Sequence, residues 1–372
     1  MNKDVKIVFL IVCILVMIGI IMIYSSSAVY AYNFFGDSMY LVKRHLIFLA
    51  IGVLAAILCM YFPVGFFRDN ARLILLATLL LLILVLIPGI GSSSGGARRW
   101  IRIAGLGIQP SEIAKFAIII YMADFTSRKR YLVPDFKYGF LPPVVIIGIT
   151  SALILLEPDM GTSVTVAFIG FVILLVSDIK RKYITTIFTM AFPIMIAAII
   201  AAPYRLKRVL AFLNPWEDPD GKGFQLIQSF IALGSGGIFG VGLGASKQKL
   251  FYLPQAHTDF IYSIIGEEMG FLGACAVLFL FIALVWYCQK LVVKITDPFR
   301  SKCILGINVM FAFEAMVNMG VSVGIFPTKG MPLPFVSCGG SSLVVHMACV
   351  GILLNMATIE EDPEFNSKNI TE

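Results

Sequence analysis

The chain has 372 residues, 59% of them hydrophobic and 14% charged, with a mean hydropathy of +0.92. Soluble domains carry about a quarter charged residues, so a soluble globular enzyme is excluded. A disordered chain is excluded as well, because disorder goes with low apolar content.

Apolar stretches near the length of a membrane span predict ten transmembrane helices. They lie near 7–29, 46–62, 72–90, 112–126, 140–156, 162–177, 184–203, 258–288, 303–325 and 340–358. The expected fold class is therefore all-α: a polytopic membrane protein with one domain over 1–358 and a short acidic cytoplasmic tail, 359–372. The first stretch lacks a small-residue cleavage site and reads as a retained helix. Every span is expected to be helical, since lipid offers unpaired backbone groups no partner. Seven cysteines form no C-x-x-C pair and lie mostly in apolar runs, as packing residues. The formal net charge is +7. The distribution of Lys and Arg puts both termini in the cytoplasm. Nine of the twelve outer Lys and Arg residues then fall in loops 91–110 and 204–257. They run against the insertion bias and mark those loops.

The loop GSSSGGARRWIRIAGLGIQP (91–110) is rich in Gly and Ser and expected to be flexible. Arg98, Arg99 and Arg102 surround Trp100. Guanidinium forks suit phosphate and an indole face suits a sugar ring, but an interfacial Trp anchor explains the same pattern equally well. The next helix opens with Q-P-S-E. Lys115 follows Glu112 at i+3, so the two can pair on one face. A charge about a turn into an apolar run either faces a cavity or orients the helix as a structural pair. EPDMGT (157–162) is an outer turn that Pro158 and Gly161 explain by themselves.

The long loop 204–257, between the seventh and eighth spans, opens with Arg205, Lys207 and Arg208. Its segment 226–246 is apolar, but its glycines make a poor lipid-exposed helix. An eleventh span would also send Lys290, Lys294, Arg300 and Lys302 outside. The segment is expected to be re-entrant or amphipathic and buried against protein. In YLPQAHTDF, Thr258 can cap the following helix, and Asp259 stands at its outer end, where the helix dipole favours a carboxylate. His257 is a lone loop histidine, a type more often solvated than functional. Ser263, Gly266 and Gly270 follow Asp259 at helical spacing. Such a stripe of small residues forms either a lipid groove or a close-packing face. Glu314 and Asn318 lie within the ninth span and face the bundle interior. In the last outer loop, FPTKGMPLPFVSCGGSS, Lys329 is the only charge. Ser337 to Ser342 offer hydroxyls and N–H groups that can receive an anion or simply shape the entry to the tenth span. The basic and aromatic residues thus converge on one side of the membrane, as a lipid-linked sugar pyrophosphate requires.

The motifs GARRWI, IQPSEIAK, EPDMGTS, NPWEDPDGKGFQLIQSF, LPQAHTDFIYSIIGEEMGFLGA and FPTKGMPLPFVSCGGSSL occur in this order over nearly the whole chain. Together they resemble the SEDS family (shape, elongation, division and sporulation), closer to its FtsW and SpoVE branch than to RodA. The resemblance implies a ten-helix enzyme of the bacterial cytoplasmic membrane that polymerises lipid II into peptidoglycan strands. It implies a class B penicillin-binding protein as partner, with other division or sporulation membrane proteins and no nucleic acid. It makes Asp259 the essential acidic residue and assigns function to Arg98, Arg99, Trp100, Glu112, Lys115, Lys329 and Ser337. Arg205, Arg208, His257 and Ser263 complete the candidate substrate-binding set. Gln255, Cys338 and Glu314 depart from the family, which often has Glu, Tyr and Gln there. The expected chemistry is an inverting transfer. Asp259 takes the proton of the acceptor's 4-hydroxyl, and undecaprenyl pyrophosphate departs towards nearby Arg and Lys side chains. No metal-ligand set is readable; a divalent cation, magnesium or manganese, is a candidate cofactor. A lipid II flippase and a non-catalytic scaffold for a transpeptidase are the competing readings. The lack of a clear inverted repeat weighs against the flippase.

Overall fold

The computed structural model describes residues 3–94, 97–103, 106–128, 135–177, 203–219 and 223–358, with Gly221 and scattered positions between 179 and 201. The chain is a multi-pass helical protein. Its helices are α1 (Lys3–Phe35), α2 (Tyr40–Tyr61), α3 (Val64–Asp69), α4 (Ala71–Leu86), α5 (Pro110–Arg128), α6 (Leu141–Leu156, entered through a π-turn), α7 (Met160–Val176), α8 (Pro203–Leu213), α9 (Phe224–Gly236), α10 (Ile261–Lys294), α11 (Pro298–Ser322) and α12 (Gly340–Thr358). Helices α1, α2, α6 with its entry turn, α10, α11 and α12 are long and apolar enough to cross a membrane, and α4 and α7 are shorter apolar helices. With α5 they coincide with nine of the expected spans. The seventh expected span, 184–203, and the tail 359–372 fall largely outside the described residues.

Burial sorts these helices. α5 is buried on nearly all sides, as are α11 and α12, whereas α2, α4 and α6 bury one stripe and expose Leu, Ile and Phe on the other. A helix that is apolar all round belongs at the centre of a bundle. The centre is therefore α5, α11 and α12, packed among α1, α2, α7 and α10.

Two stretches differ from the expectation. The loop 91–110 is not a flexible coil. It forms a three-stranded antiparallel sheet of β1 (Gly91–Ser94), β2 (Ala97–Ile103) and β3 (Leu106–Ile108), with Ser92 opposite Trp100 and Ile101 opposite Ile108. Ser341 Oγ ties the sheet to α12 by donating to the Gly107 carbonyl at 2.9 Å and accepting from Gln109 N at 3.1 Å.

Helix α10 is also not continuous. Gly270 takes φ 71° and ψ −169°, a backbone region that only glycine enters without strain, and this breaks the helix. The freed backbone groups find partners in the chain after α9. Phe271 N donates to Gly237 O at 2.8 Å and Leu272 N to Ile238 O at 3.2 Å, while Val241 N and Gly242 N donate to Glu267 O and Glu268 O. Only one side of the segment 226–246 is buried against protein: Leu226, Ile227, Ser229, Ala232 and Gly236 are covered, whereas Ile231, Ile238, Phe239, Val241 and Leu243 are exposed, so it is not buried throughout as expected. α9 is 13 residues long, about 20 Å at 1.5 Å per residue, too short to span.

Candidate functional site

The site lies where four stretches converge on one end of the bundle: β2, the turn between α6 and α7, the segment before α10, and the loop after α11. A cavity of about 300 Å³ opens between them. Arg99, Trp100, Gln109, Asp159, Thr258 and Asp259 line its walls. Glu112 and Lys115 of α5 and Glu314 of α11 form its helical floor.

Asp259 is held by its main chain. Asn318 Nδ2 donates to Asp259 O at 2.9 Å and to Met331 O at 2.8 Å, which pins the residue between α11 and the last loop. Just before it in the chain, Ser337 Oγ donates to Thr258 O at 2.5 Å and Cys338 N donates to His257 O at 3.0 Å. The carboxylate itself lies over Gly330, where an added Cβ would sit 3.2 Å from Oδ2. It is half-exposed, towards the cavity, but surrounded by protein atoms. Burial pushes its pKa up to about 7; the Arg208 and Arg99 charges oppose that shift and the Asp159 charge adds to it.

Asp159 belongs to a hydrogen-bonded turn. It accepts from Thr162 N at 3.1 Å, Thr162 Oγ1 at 3.0 Å and Gln109 Nε2 at 3.1 Å. Arg99 clamps the same turn. Its Nε donates to Glu157 O at 2.9 Å, its second nitrogen donates to Pro158 O at 2.5 Å, and a third lies 3.9 Å from Asp159. The Glu157 side chain is fully buried, with the Ser111 hydroxyl and the Arg99 charge favouring its ionised form. Burial and the Asp159 charge push its pKa up to about 8.

On the floor, Lys115 Nζ lies 2.7 Å from Glu112 and 2.5 Å from Glu314. Glu314 also meets His346 Nε2 at 2.7 Å. The arrangement sets a carboxylate that can take a proton opposite fixed cations in a confined, partly dehydrated space. Such a geometry suits transfer of a group from an anionic leaving group.

The sequence profile of the FtsW/RodA/SpoVE cell cycle protein family matches residues 5–362. The chain belongs to this family. It is 45% identical over 351 residues to a protein of Trichlorobacter lovleyi named probable peptidoglycan glycosyltransferase FtsW, covering 94% of this chain and 92% of that one. It is 40% identical to stage V sporulation protein E of Bacillus subtilis, covering 94% and 95%. Among solved structures, it resembles a chain from a peptidoglycan synthase complex described as coordinating polymerization and crosslinking, with a TM-score of 0.78 and 29% identity over 94% of this chain and 96% of that one. RodA of Thermus thermophilus gives a TM-score of 0.70 and 25% identity over 95% and 97%.

Within this family member, the cavity brings together Arg99, Trp100, Glu112, Lys115 and Asp259 from the expected set. The others stand elsewhere. Arg98 is exposed and does not line the cavity. Arg208 is exposed but close enough for its charge to act on Asp259. The Arg205 side chain lies outside the described residues. Lys329 is half-buried beside cavity-lining Gly330; burial lowers its pKa, and the Asp159 charge opposes this. The His257 ring packs 5.3 Å from Tyr30, and burial lowers its pKa to about 4. Ser337 is buried as a clamp on Thr258 and Leu333.

One local expectation needs correction, and one alternative that the sequence left open is decided. Thr258 does not cap α10: its hydroxyl donates to Gln255, and the helix starts at Ile261 without a side-chain cap. The stripe of small residues is a packing face and not an open groove. Ser263 is fully buried with its hydroxyl 2.6 Å from Ser229, and Gly266 packs on Leu233 of α9. Asp159, Gln109 and Thr162 were not singled out as site residues from sequence. The acidic pair in EPDMGT was the available signal, but the turn residues beside it explained it without function.

Proposed function

We propose that this chain is the glycosyltransferase that polymerises lipid II into peptidoglycan strands at the outer face of the bacterial cytoplasmic membrane. Asp259 accepts the proton of the acceptor's 4-hydroxyl as the new glycosidic bond forms with inversion. The bond to undecaprenyl pyrophosphate breaks, and its charge is received by Arg99 and Lys329, while Lys115 is held by Glu112 and Glu314 on the floor. The observation that carries this reading is the placement of Asp259 and the Arg99 guanidinium around one cavity. The names of the family relatives support the same activity class. A positioned base contributes about 10²–10⁴-fold, and fixed charges at the leaving group contribute comparably.

A transpeptidase is the proposed partner, supported by the likeness to a chain of a complex that joins polymerization to crosslinking. Both termini are placed in the cytoplasm by the Lys and Arg distribution. Arg98, Arg205, Arg208 and His257 are assigned to the rim that meets the headgroup. Among the described residues no three His, Cys, Asp or Glu side chains form a metal-ligand set, so no step is assigned to a divalent cation.

The test reconstitutes the purified protein, with and without a class B penicillin-binding protein, in liposomes containing labelled lipid II. Glycan polymer that resists moenomycin and disappears in Asp259→Ala is expected. Leaflet exchange of lipid II without polymer would establish the flippase instead. Neither activity, with transpeptidase binding intact, would leave the scaffold.

A further inference from the structure

Outside the cavity, a second cluster of buried ionisable side chains brackets the segment that carries Asp259. Lys249 Nζ lies 2.8 Å from Glu268 Oε1 and donates to Ser25 Oγ of α1 at 3.1 Å. Ser25 Oγ in turn stands 2.7 Å from both Glu268 oxygens. The Glu268 side chain is fully buried and that of Lys249 nearly so. Beside them, Glu267 accepts from Ser246 Oγ and, at 2.9 Å, from Lys247 N. Residues 246–249 are thus bound to 267–268, and the excursion between them has Asp259 near its middle.

Helical continuity does not fix where this excursion sits. Gly270 breaks α10, so 261–269 is a half-helix of its own, about 13 Å long at about 1.5 Å per residue. Its outer turn is held by Ser263 to Ser229 of α9 at 2.6 Å, and Tyr262 donates across the break to Ala274 O at 3.1 Å. Its inner end is held by the two carboxylates. A tilt of about 5° over that length shifts one end by about 1 Å, and a shift of about 1 Å at a reacting group costs roughly a hundredfold in rate. Helix α1 also abuts the last loop: a Cβ added at Gly19 would stand 2.5 Å from Phe335 O. We propose that Lys249 and Glu268, bridged by Ser25, are positioning residues for the transfer. They register the half-helix that presents Asp259 against α1, and through α1 against the loop that carries Lys329 and Ser337. The pair contributes direction more than stability. Desolvation offsets the attraction within a buried pair, so replacing both partners by neutral side chains of similar size often leaves stability unchanged. Such neutral side chains do not enforce one geometry. The inference rests on the glycosyltransferase reading for its kinetic consequence.

The test uses the full chain in liposomes with labelled lipid II. It compares the wild type with a neutral pair, Lys249→Met with Glu268→Gln, and a reversed pair, Lys249→Glu with Glu268→Lys. In the neutral pair kcat is expected to be about ten- to a hundredfold lower, with KM for lipid II within about twofold and the thermal midpoint close to wild type. The reversed pair is expected to recover kcat to within about threefold of wild type. Hydrogen–deuterium exchange reads the same geometry without catalysis. The amides of 258–264, several of them bonded to Gln255 O and Phe260 O, are expected to exchange about tenfold faster in the neutral pair and to slow again in the reversed pair, with α5 and α11 unchanged. Ser25→Ala leaves the ion pair in place and serves where the neutral pair does not fold; it is expected to lower kcat about threefold at an unchanged midpoint. Wild-type kcat in the neutral pair or in Ser25→Ala, a reversed pair no faster than the neutral one, or a raised KM with kcat kept would each overturn the proposal. A wild type that makes no polymer while exchange responds as expected would reject the glycosyltransferase reading alone. Polymer made by the wild type, with kcat and exchange both unmoved in the neutral pair, would reject this proposal alone.

Discussion

Asn318 of α11 donates both amide hydrogens to main-chain oxygens, one on Asp259 and one on Met331. A single buried side chain thus sets the distance between the segment that carries the proposed base and the loop that carries Lys329. Replacing Asn318 with Leu leaves two buried carbonyls without a donor, a loss of about 1–3 kcal/mol each. Asp259 then loses its position rather than its chemistry. Misplacement by about 1 Å costs roughly a hundredfold in rate. The expected outcome is a kcat about ten- to a hundredfold lower with the protein still folded in detergent. Polymerisation kinetics and size-exclusion chromatography check it; an unchanged kcat would show that Asp259 is positioned by other contacts.

The two neighbouring arginines of β2 are expected to behave differently. Arg99 reaches the cavity and clamps the Glu157–Asp159 turn, whereas Arg98 is exposed beside it. Arg99→Ala removes both a cation and the clamp, and is expected to lower kcat/KM about a hundredfold, as loss of a charge-stabilising donor does. Arg98→Ala is expected to stay within about twofold, as exposed charges are screened and weakly coupled. Equal losses in the two variants, measured with lipid II, would place the phosphate contact at the rim instead.

Glu157 supplies a pH prediction for stability. Burial and Asp159 raise its pKa to about 8 from an ordinary value of 4.5. The folded protein therefore holds a proton that the unfolded chain gives up. The stabilisation is complete below the unfolded pKa and is lost as pH rises through the folded one. The thermal midpoint of the wild type is expected to fall between about pH 5 and 8 through this group. Glu157→Gln, which mimics the protonated carboxyl, is expected to flatten that slope and to keep activity at pH 7. A Gln variant with the wild-type slope would rule Glu157 out as the source.

The break at Gly270 gives a prediction about the fold. An Ala there is strained at φ 71°, and its Cβ collides with the Gly240 and Ile238 backbone that patches the broken helix. Strained backbone positions cost about 1–3 kcal/mol each, and the collision adds to that. Gly270→Ala is expected to lower the thermal midpoint in detergent by several degrees, whereas Ala at Gly148, with no atom within 4 Å of the added Cβ, is expected to leave it unchanged.

Much of the site was legible because charge is scarce in this chain. Against an apolar background, Arg99, Glu112, Lys115 and Asp259 stand out one by one, and the cavity gathers all four. The sheet over 91–108 was hidden because Gly and Ser dominate β1, and three short strands carry too few alternating side chains to show a period of two. Ser263 and Gly266 were ambiguous because small residues serve a lipid groove and a helix contact alike; what decides between them is the position of α9, which no local pattern encodes. His346 could have been found by the rule that exposes Glu314, since a polar residue within a span faces the interior. What the sequence could not give is the contact between them, 32 residues apart on two helices.

The last prediction concerns the proposed base. Asp259 is held up to about 7 by burial, with the Arg208 and Arg99 charges pulling it back down. A general base works in its ionised form, so activity follows the deprotonated fraction. That fraction is about one-tenth at pH 6 and nine-tenths at pH 8 for a pKa near 7. The expected kcat profile therefore rises with unit slope below pH 7 and levels above it. Arg208→Gln removes an opposing positive charge that lines no part of the cavity, and is expected to move the rising limb to higher pH while leaving the plateau near its wild-type height. Single-turnover polymerisation from pH 5.5 to 8.5 at saturating lipid II checks both profiles, wild type and Arg208→Gln. A kcat that is flat across that range, or a limb that does not move in Arg208→Gln, would remove Asp259 from the role of base.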